Sequence, residues 1–283
     1  MRYPSFLQEQ GTIGFVAPSF GCAEPPYKTA FLHAQEKLAE SGYKLELGPN
    51  CYAREGIGIS NTPEKCGREL TEYLLTDKND ILISCGGGEL MCETLDFVDF
   101  DAIRKAQPKW YMGYSDNTNL TFLLTTLCDT ASVYGPCAGS FGMEPWHESI
   151  QDALDLLRGR KLVMKGYEKW EKEPYEADEN PLVPYHLTET RLLRSFPEGD
   201  STFSGRLIGG CMDCLITLLG TRYDRVADFS KTYEQDGFIW FLESCDLNVF
   251  SIRRAVWQMQ HAGWFSHVKG FLIGRPLVFG QEM

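Results

Sequence analysis

Trp110-Tyr111-Met112-Gly113-Tyr114-Ser115-Asp116-Asn117 is the stretch on which the reading of this chain turns. The apolar run up to Tyr114 suits a buried strand, and helical spacing begins at Asn117, so strand must give way to helix within about two residues. A turn that tight pushes the Ser115 hydroxyl out above the sheet edge. The new helix aims its free N–H groups and positive dipole end at the same spot. The Asp116 amide is then well placed to hold an oxyanion. This is the geometry of a nucleophile elbow, with Asn117 where G-x-S-x-G has its second glycine. The commoner explanation of such a segment is a helix cap made by Ser115 or Asp116, and on this stretch alone both readings stay open.

Strand–helix alternation extends outward from this turn. Upstream, strands are predicted over 12–17, 43–47 and 80–85, with helices over 27–41 and 63–75. Downstream, a helix over 117–127 leads to a fifth strand over 131–134. Such alternation implies a mostly parallel sheet with helices on both faces. Residues 166–195 are rich in Glu, Lys, Pro and Tyr and show no period, which reads as a long connecting loop of the kind that serves as a lid or binding loop. Beyond it, strands over 203–210, 238–242 and 268–273 and helices over 212–219 and 249–262 form a second α/β unit. The expected organisation is therefore an N-terminal domain over 1–165, a connection over 166–195 and a C-terminal domain over 196–283.

The 283 residues carry 27 Lys and Arg against 39 Asp and Glu, a net charge of −12, and 43% of them are hydrophobic. That composition excludes disordered and fibrous classes. The acidic balance, with no run of Lys or Arg, argues against nucleic acid as a partner. No apolar run approaches the ~20 residues of a membrane span, and the N-terminus lacks the apolar core of a signal peptide. Most of the ten cysteines lie in apolar stretches. They read as reduced, and the protein as cytoplasmic.

Three further features bear on chemistry. Gly86-Gly87-Gly88 follows the third strand, and its exposed amides can receive an oxyanion; a plain tight turn is the alternative. Glu243 ends the strand over 238–242, at the carboxyl edge where functional groups of open α/β sheets collect. It can orient a histidine, while Asp246 reads as a cap for the following helix. The five histidines show no metal-ligand spacing, and Cys211-x-x-Cys214 has no second pair nearby, so neither a metal nor a redox centre is expected.

Together, Gly113-Tyr114-Ser115-Asp116-Asn117-Thr118, Gly205-Arg206-Leu207-Ile208-Gly209-Gly210, Gly220-Thr221 and Phe241-Leu242-Glu243 resemble the LD-carboxypeptidase family. That family includes muropeptide LD-carboxypeptidases and microcin-C immunity-type peptidases. Gly14-Phe15-Val16-Ala17-Pro18-Ser19 is similar to its first strand, so the likeness spans almost the whole chain. It implies a flavodoxin-like N-terminal domain, a C-terminal α/β domain, a homodimer and a cofactor-free Ser-Glu-His peptidase. By motif, Ser115 is the nucleophile, Glu243 orients the base, and the amides of Gly88 and Asp116 form the oxyanion hole. The family's histidine lies in a Gly-His motif beyond the strand that here ends near Ile273. No such motif occurs before Met283, and His261 and His267 come too early. Cys211 stands where the family usually has Asn. The aromatic-rich loop with Tyr167, Trp170, Tyr175 and Tyr185 is nearer to the microcin-immunity branch.

Two functions are therefore expected. The first is a serine carboxypeptidase cutting an amide next to a free carboxylate in a small peptide, muropeptide or peptidyl-nucleotide conjugate. In that reading the C-terminal domain is incomplete as written, the histidine lies past Met283, and an apolar patch is exposed around Phe271 and Phe279. The second is a catalytically silent member, without the histidine, that binds a small ligand at the same edge.

Overall fold

The computed structural model describes residues 1–172, 179–199 and 202–277; Tyr175 and Phe279 lie outside them. The chain runs β1 (Thr12–Val16), α1 (Tyr27–Glu40), β2 (Lys44–Leu47), α2 (Pro63–Leu75), β3 (Ile81–Ser84), α3 (Phe100–Lys105), β4 (Trp110–Met112), α4 (Thr118–Thr126) and α5 (Glu148–Leu157). The four strands are parallel in the order β2-β1-β3-β4, the flavodoxin-like order. Alternation along the strands divides their side chains between two cores. Ile13, Phe15, Ile81, Ile83, Trp110 and Met112 pack with Phe31 and Leu38 of α1. Val16, Leu82 and Tyr111 pack with Leu70, Leu74 and Leu120 on the other face.

The expected fifth strand does not form. Residues 131–134 touch β4 through one bridge, Met112 with Val133. Val133 donates to Tyr111 O at 2.9 Å and accepts from Gly113 N at 3.2 Å. Gly135 and Pro136 then end the pairing, since proline has no N–H for a ladder. The early exit leaves Tyr134 beneath the Ser115 turn.

The connection holds a two-residue antiparallel ribbon, β5 (Lys169–Trp170) with β6 (Glu189–Thr190), where no element was expected. The second unit comprises β7 (Arg206–Cys211), α6 (Met212–Leu218), α7 (Val226–Thr232), β8 (Phe238–Glu243), α8 (Val249–His261) and β9 (Val268–Ile273). Its strands are parallel in the order β7-β8-β9. Asn248, not Asp246, caps α8: its side chain accepts from Ser251 N at 2.8 Å. The Asp246 amide instead donates to Asp213 Oδ1.

Helix α4 explains how the two units meet. It is apolar and buried nearly all round because it lies between both cores. Leu120 and Leu124 face the first. Phe122 and Leu123 face the second, where Phe122 stacks on Trp264 and Trp264 on Trp240, with centroids 5.3 and 5.8 Å apart. At its N-terminal end Gly210 of β7 is so close that a Cβ would sit 2.6 Å from Thr118 Cγ2. The Cys211 N–H donates to Thr118 Oγ1 at 3.0 Å. Ser115 therefore lies where the two sheets converge. Phe271 is 42% and Ile273 67% exposed, while the other half of the expected patch, Phe279, lies outside the described residues.

One buried carboxyl gives the fold a pH dependence. Glu69 of α2 is fully enclosed and accepts from the Ala17 and Asn50 amides, both at 2.9 Å. Burial outweighs those bonds and pushes its pKa up to about 7. The folded state then holds a proton that the unfolded chain releases above pH ~4.3. Stability attributable to Glu69 is full below that value and falls by roughly 3 kcal/mol as pH rises to about 7. Denaturation of wild type and Glu69→Gln across pH 4–8 checks this: the Gln variant should lose the Glu69 component of the slope.

Candidate active site

Ser115 sits in the left-handed region, with φ +61°. For a non-glycine residue this is strained backbone of the sort concentrated at functional turns. The short turn over 115–117 has Tyr114 as its N-cap and α4 has Asn117, and neither side chain caps its helix; no capping bond comes from Ser115 among the described residues. The cap reading of Ser115 is thus replaced by an elbow whose hydroxyl faces open space.

The neighbours in the motif hold this turn. The Asp116 side chain is buried and points inward. It accepts from the Ser19 hydroxyl at 2.6 Å, the Met91 amide at 2.9 Å and Asn119 Nδ2 at 2.9 Å. Burial raises its pKa. Asn117 Nδ2 donates to Gly86 O at 2.8 Å and Tyr114 O at 3.0 Å, while the Tyr111 hydroxyl donates to its Oδ1. Asn117 therefore ties the Gly86-Gly87-Gly88 turn to the Ser115 turn, which a glycine at that position cannot do. Gly87 touches Ser115 directly: a Cβ on it would lie 3.1 Å from Ser115 Oγ. The N–H groups of Gly88 and Asp116 have no acceptor among the described residues.

Glu243 is brought to the same place from the second unit. It is the last residue of β8, paired in register with Cys211. Asp213 steadies the loop after it by accepting from the Cys245 and Asp246 amides at 3.1 and 2.9 Å. The link between Glu243 and Ser115 is Tyr134, which in the sequence reads only as a strand residue. Its hydroxyl donates to Glu243 Oε1 at 2.5 Å and accepts from the Ser115 amide at 2.9 Å. Burial and the adjacent carboxylate keep the phenol protonated by raising its pKa.

Ser115, Tyr134, Glu243, Trp170 and Arg275 line a cavity of about 850 Å³. A second, of about 1020 Å³, lies on the Gly86-Gly87 side. Tyr114, Glu171 and Tyr185 border both, so Ser115 stands at the junction of two compartments. Among the described residues, no histidine lines either. His147 caps α5 through Ser149 N, with its ring centroid 5.5 Å from Tyr167 and 5.4 Å from Tyr185. The described residues contain no cluster of His, Cys, Asp and Glu able to hold a metal ion. None of their helices is long and apolar enough to cross a membrane.

Residues 13–135 match the LD-carboxypeptidase N-terminal domain and residues 204–281 the LD-carboxypeptidase C-terminal domain. The microcin C7 self-immunity protein MccF of Escherichia coli is 26% identical over 275 residues, 95% of this chain and 76% of that protein. MccF in complex with aspartyl sulfamoyl adenosine has the same fold, with a TM-score of 0.83 at 24% identity over 100% of this chain and 84% of that one. An MccF-like protein from Bacillus anthracis gives a TM-score of 0.79 at 24% identity, covering 98% of this chain and 81% of the other.

Proposed function

Because the chain belongs to the LD-carboxypeptidase family, we propose that it is a serine carboxypeptidase. Its substrate is an amide bond next to a free carboxylate in a small peptide, muropeptide or peptidyl-nucleotide conjugate. The observation that carries this reading is the strained Ser115, open to a cavity it shares with Glu243. Ser115 Oγ attacks the scissile carbonyl carbon and its proton passes to an imidazole oriented by Glu243. The N–H groups of Gly88 and Asp116 take the oxyanion. Collapse expels the amine, which leaves with that proton, and water then releases the acyl group from Ser115. The imidazole is the one that the family resemblance puts in a Gly-His motif after β9. No cofactor or metal enters this chemistry. MccF's ligand, an aminoacyl nucleoside, supports a conjugate with an amino-acid part in one compartment and a larger group in the other. We read the protein as a cytoplasmic homodimer; exposed Phe250, Trp257 and Ile273 favour self-association.

A second reading, a silent ligand binder, is favoured by one observation. Tyr134 already occupies Glu243 Oε1, and no described histidine reaches the cavity. The two readings part when the protein is incubated with acetyl-Lys-D-Ala, with and without added imidazole, and free D-alanine is measured. Release of D-alanine that rises with imidazole is the outcome expected of the peptidase. Binding of the peptide without release, imidazole included, would favour the binder.

A further inference from the structure

Arg275 is a charged group in the Ser115 cavity to which the chemistry above gives no role. Its backbone is fixed on both sides. The Gly274 N–H donates to Leu242 O at 2.7 Å, and the Leu277 N–H donates to Ser244 O at 3.0 Å. Those acceptors flank Glu243, so Arg275 is held alongside the end of β8. Its guanidinium carbon lies 3.2 Å from the centroid of the Trp170 ring. A guanidinium packed by its face keeps its N–H donors in the open plane of its edge, in a fork that matches a carboxylate. Among the described residues no carboxylate is within ion-pair distance of it. Glu171 and Glu243 line the same cavity, in a chain of net charge −12. Lys172 lines the cavity too, but the cation whose backbone is held beside Glu243 to offset these carboxylates is Arg275.

We propose that Arg275 determines specificity at this site: its edge takes the free carboxylate of a peptide in a bidentate pair while Ser115 faces the neighbouring amide bond. This rests on the peptidase reading for what the carboxylate belongs to, but not on turnover. Trp170, which lines the cavity from the short ribbon of the connection, holds the face of the guanidinium. A phosphate presents a similar oxyanion, so the test separates the two sources.

The experiment is calorimetric titration of Ser115→Ala protein, alone and combined with Arg275→Lys or Arg275→Ala. The probes are acetyl-Lys-D-Ala, its C-terminal amide and adenosine monophosphate. The free acid should bind about 10- to 100-fold tighter than the amide, as expected for one charge-assisted bidentate pair. Arg275→Ala should bring that ratio close to one, and Arg275→Lys should keep part of it. An arginine that serves only as a strut for Trp170 would weaken acid and amide alike; an unchanged ratio would therefore overturn the proposal. So would failure of the acid to bind, or a ratio near one together with adenosine monophosphate binding that is lost in Arg275→Ala. Binding needs no hydrolysis, so an inactive protein that still prefers the acid through Arg275 refutes only the peptidase reading. Hydrolysis that shows no acid preference refutes only this one.

Discussion

Ser115→Ala is expected to abolish imidazole-dependent peptide hydrolysis, a loss of at least about 1,000-fold, because the nucleophile and its base act as a unit. Folding should be little affected. Ser115 Oγ makes no capping bond, and the contacts that position the turn come from Asp116, Asn117 and the Ser115 amide. Removing the hydroxyl leaves all of those in place, and alanine also tolerates the left-handed φ poorly but not more so than serine. Loss of turnover with an unchanged denaturation midpoint is therefore the expected pair of results. A variant that stays active to within a few-fold would remove Ser115 from the chemistry.

Asp116→Ala should act in the opposite way, mainly on stability. The Asp116 carboxylate joins three segments: the loop after β1 through Ser19, the turn after Gly88 through Met91, and α4 through Asn119. Alanine leaves three buried donors without that acceptor. Each unsatisfied buried donor costs about 1–3 kcal/mol, partly offset because a buried carboxylate no longer has to be desolvated. A net loss on the order of 3 kcal/mol by urea denaturation is expected. Asp116→Asn keeps one side-chain oxygen and should lose about half as much. A change below about 1 kcal/mol in the alanine variant would show that the hub holds little.

The contrast between these neighbours shows what was legible in the sequence. Ser115, Asp116 and Asn117 stand out as a strand-to-helix turn, because local periodicity changes there and three residues suffice to mark it. What each side chain does was less visible. Asp116 and Asn117 bond to Ser19, Met91 and Gly86, residues distant in sequence that only the folded sheet brings near. Glu243 was legible from its place at a strand end. Tyr134, which joins it to Ser115, was not, since its role depends on the chain leaving β4 after one bridge. The parallel sheets followed from alternation, whereas the flavodoxin-like order of the first came only from the family resemblance and the order of the second was not read. Helices α3, α5 and α7 and the β5–β6 ribbon were missed: α3 and α7 have six and seven residues, and the ribbon two per strand, too few for a period to show. Arg275 carried no signal, because its stacking on Trp170 spans about a hundred residues of chain.

Covalent labelling by a serine-directed fluorophosphonate, mapped by mass spectrometry, tests the central claim most directly, because it reports the activated hydroxyl itself and needs no knowledge of the substrate. The reagent should form one adduct, on Ser115. On the 283-residue chain its rate should rise with added imidazole as Glu243 gains a base to orient, and lose that rise in Glu243→Gln. An adduct on another serine of the folded protein, or no adduct on Ser115 even in imidazole, would contradict the account.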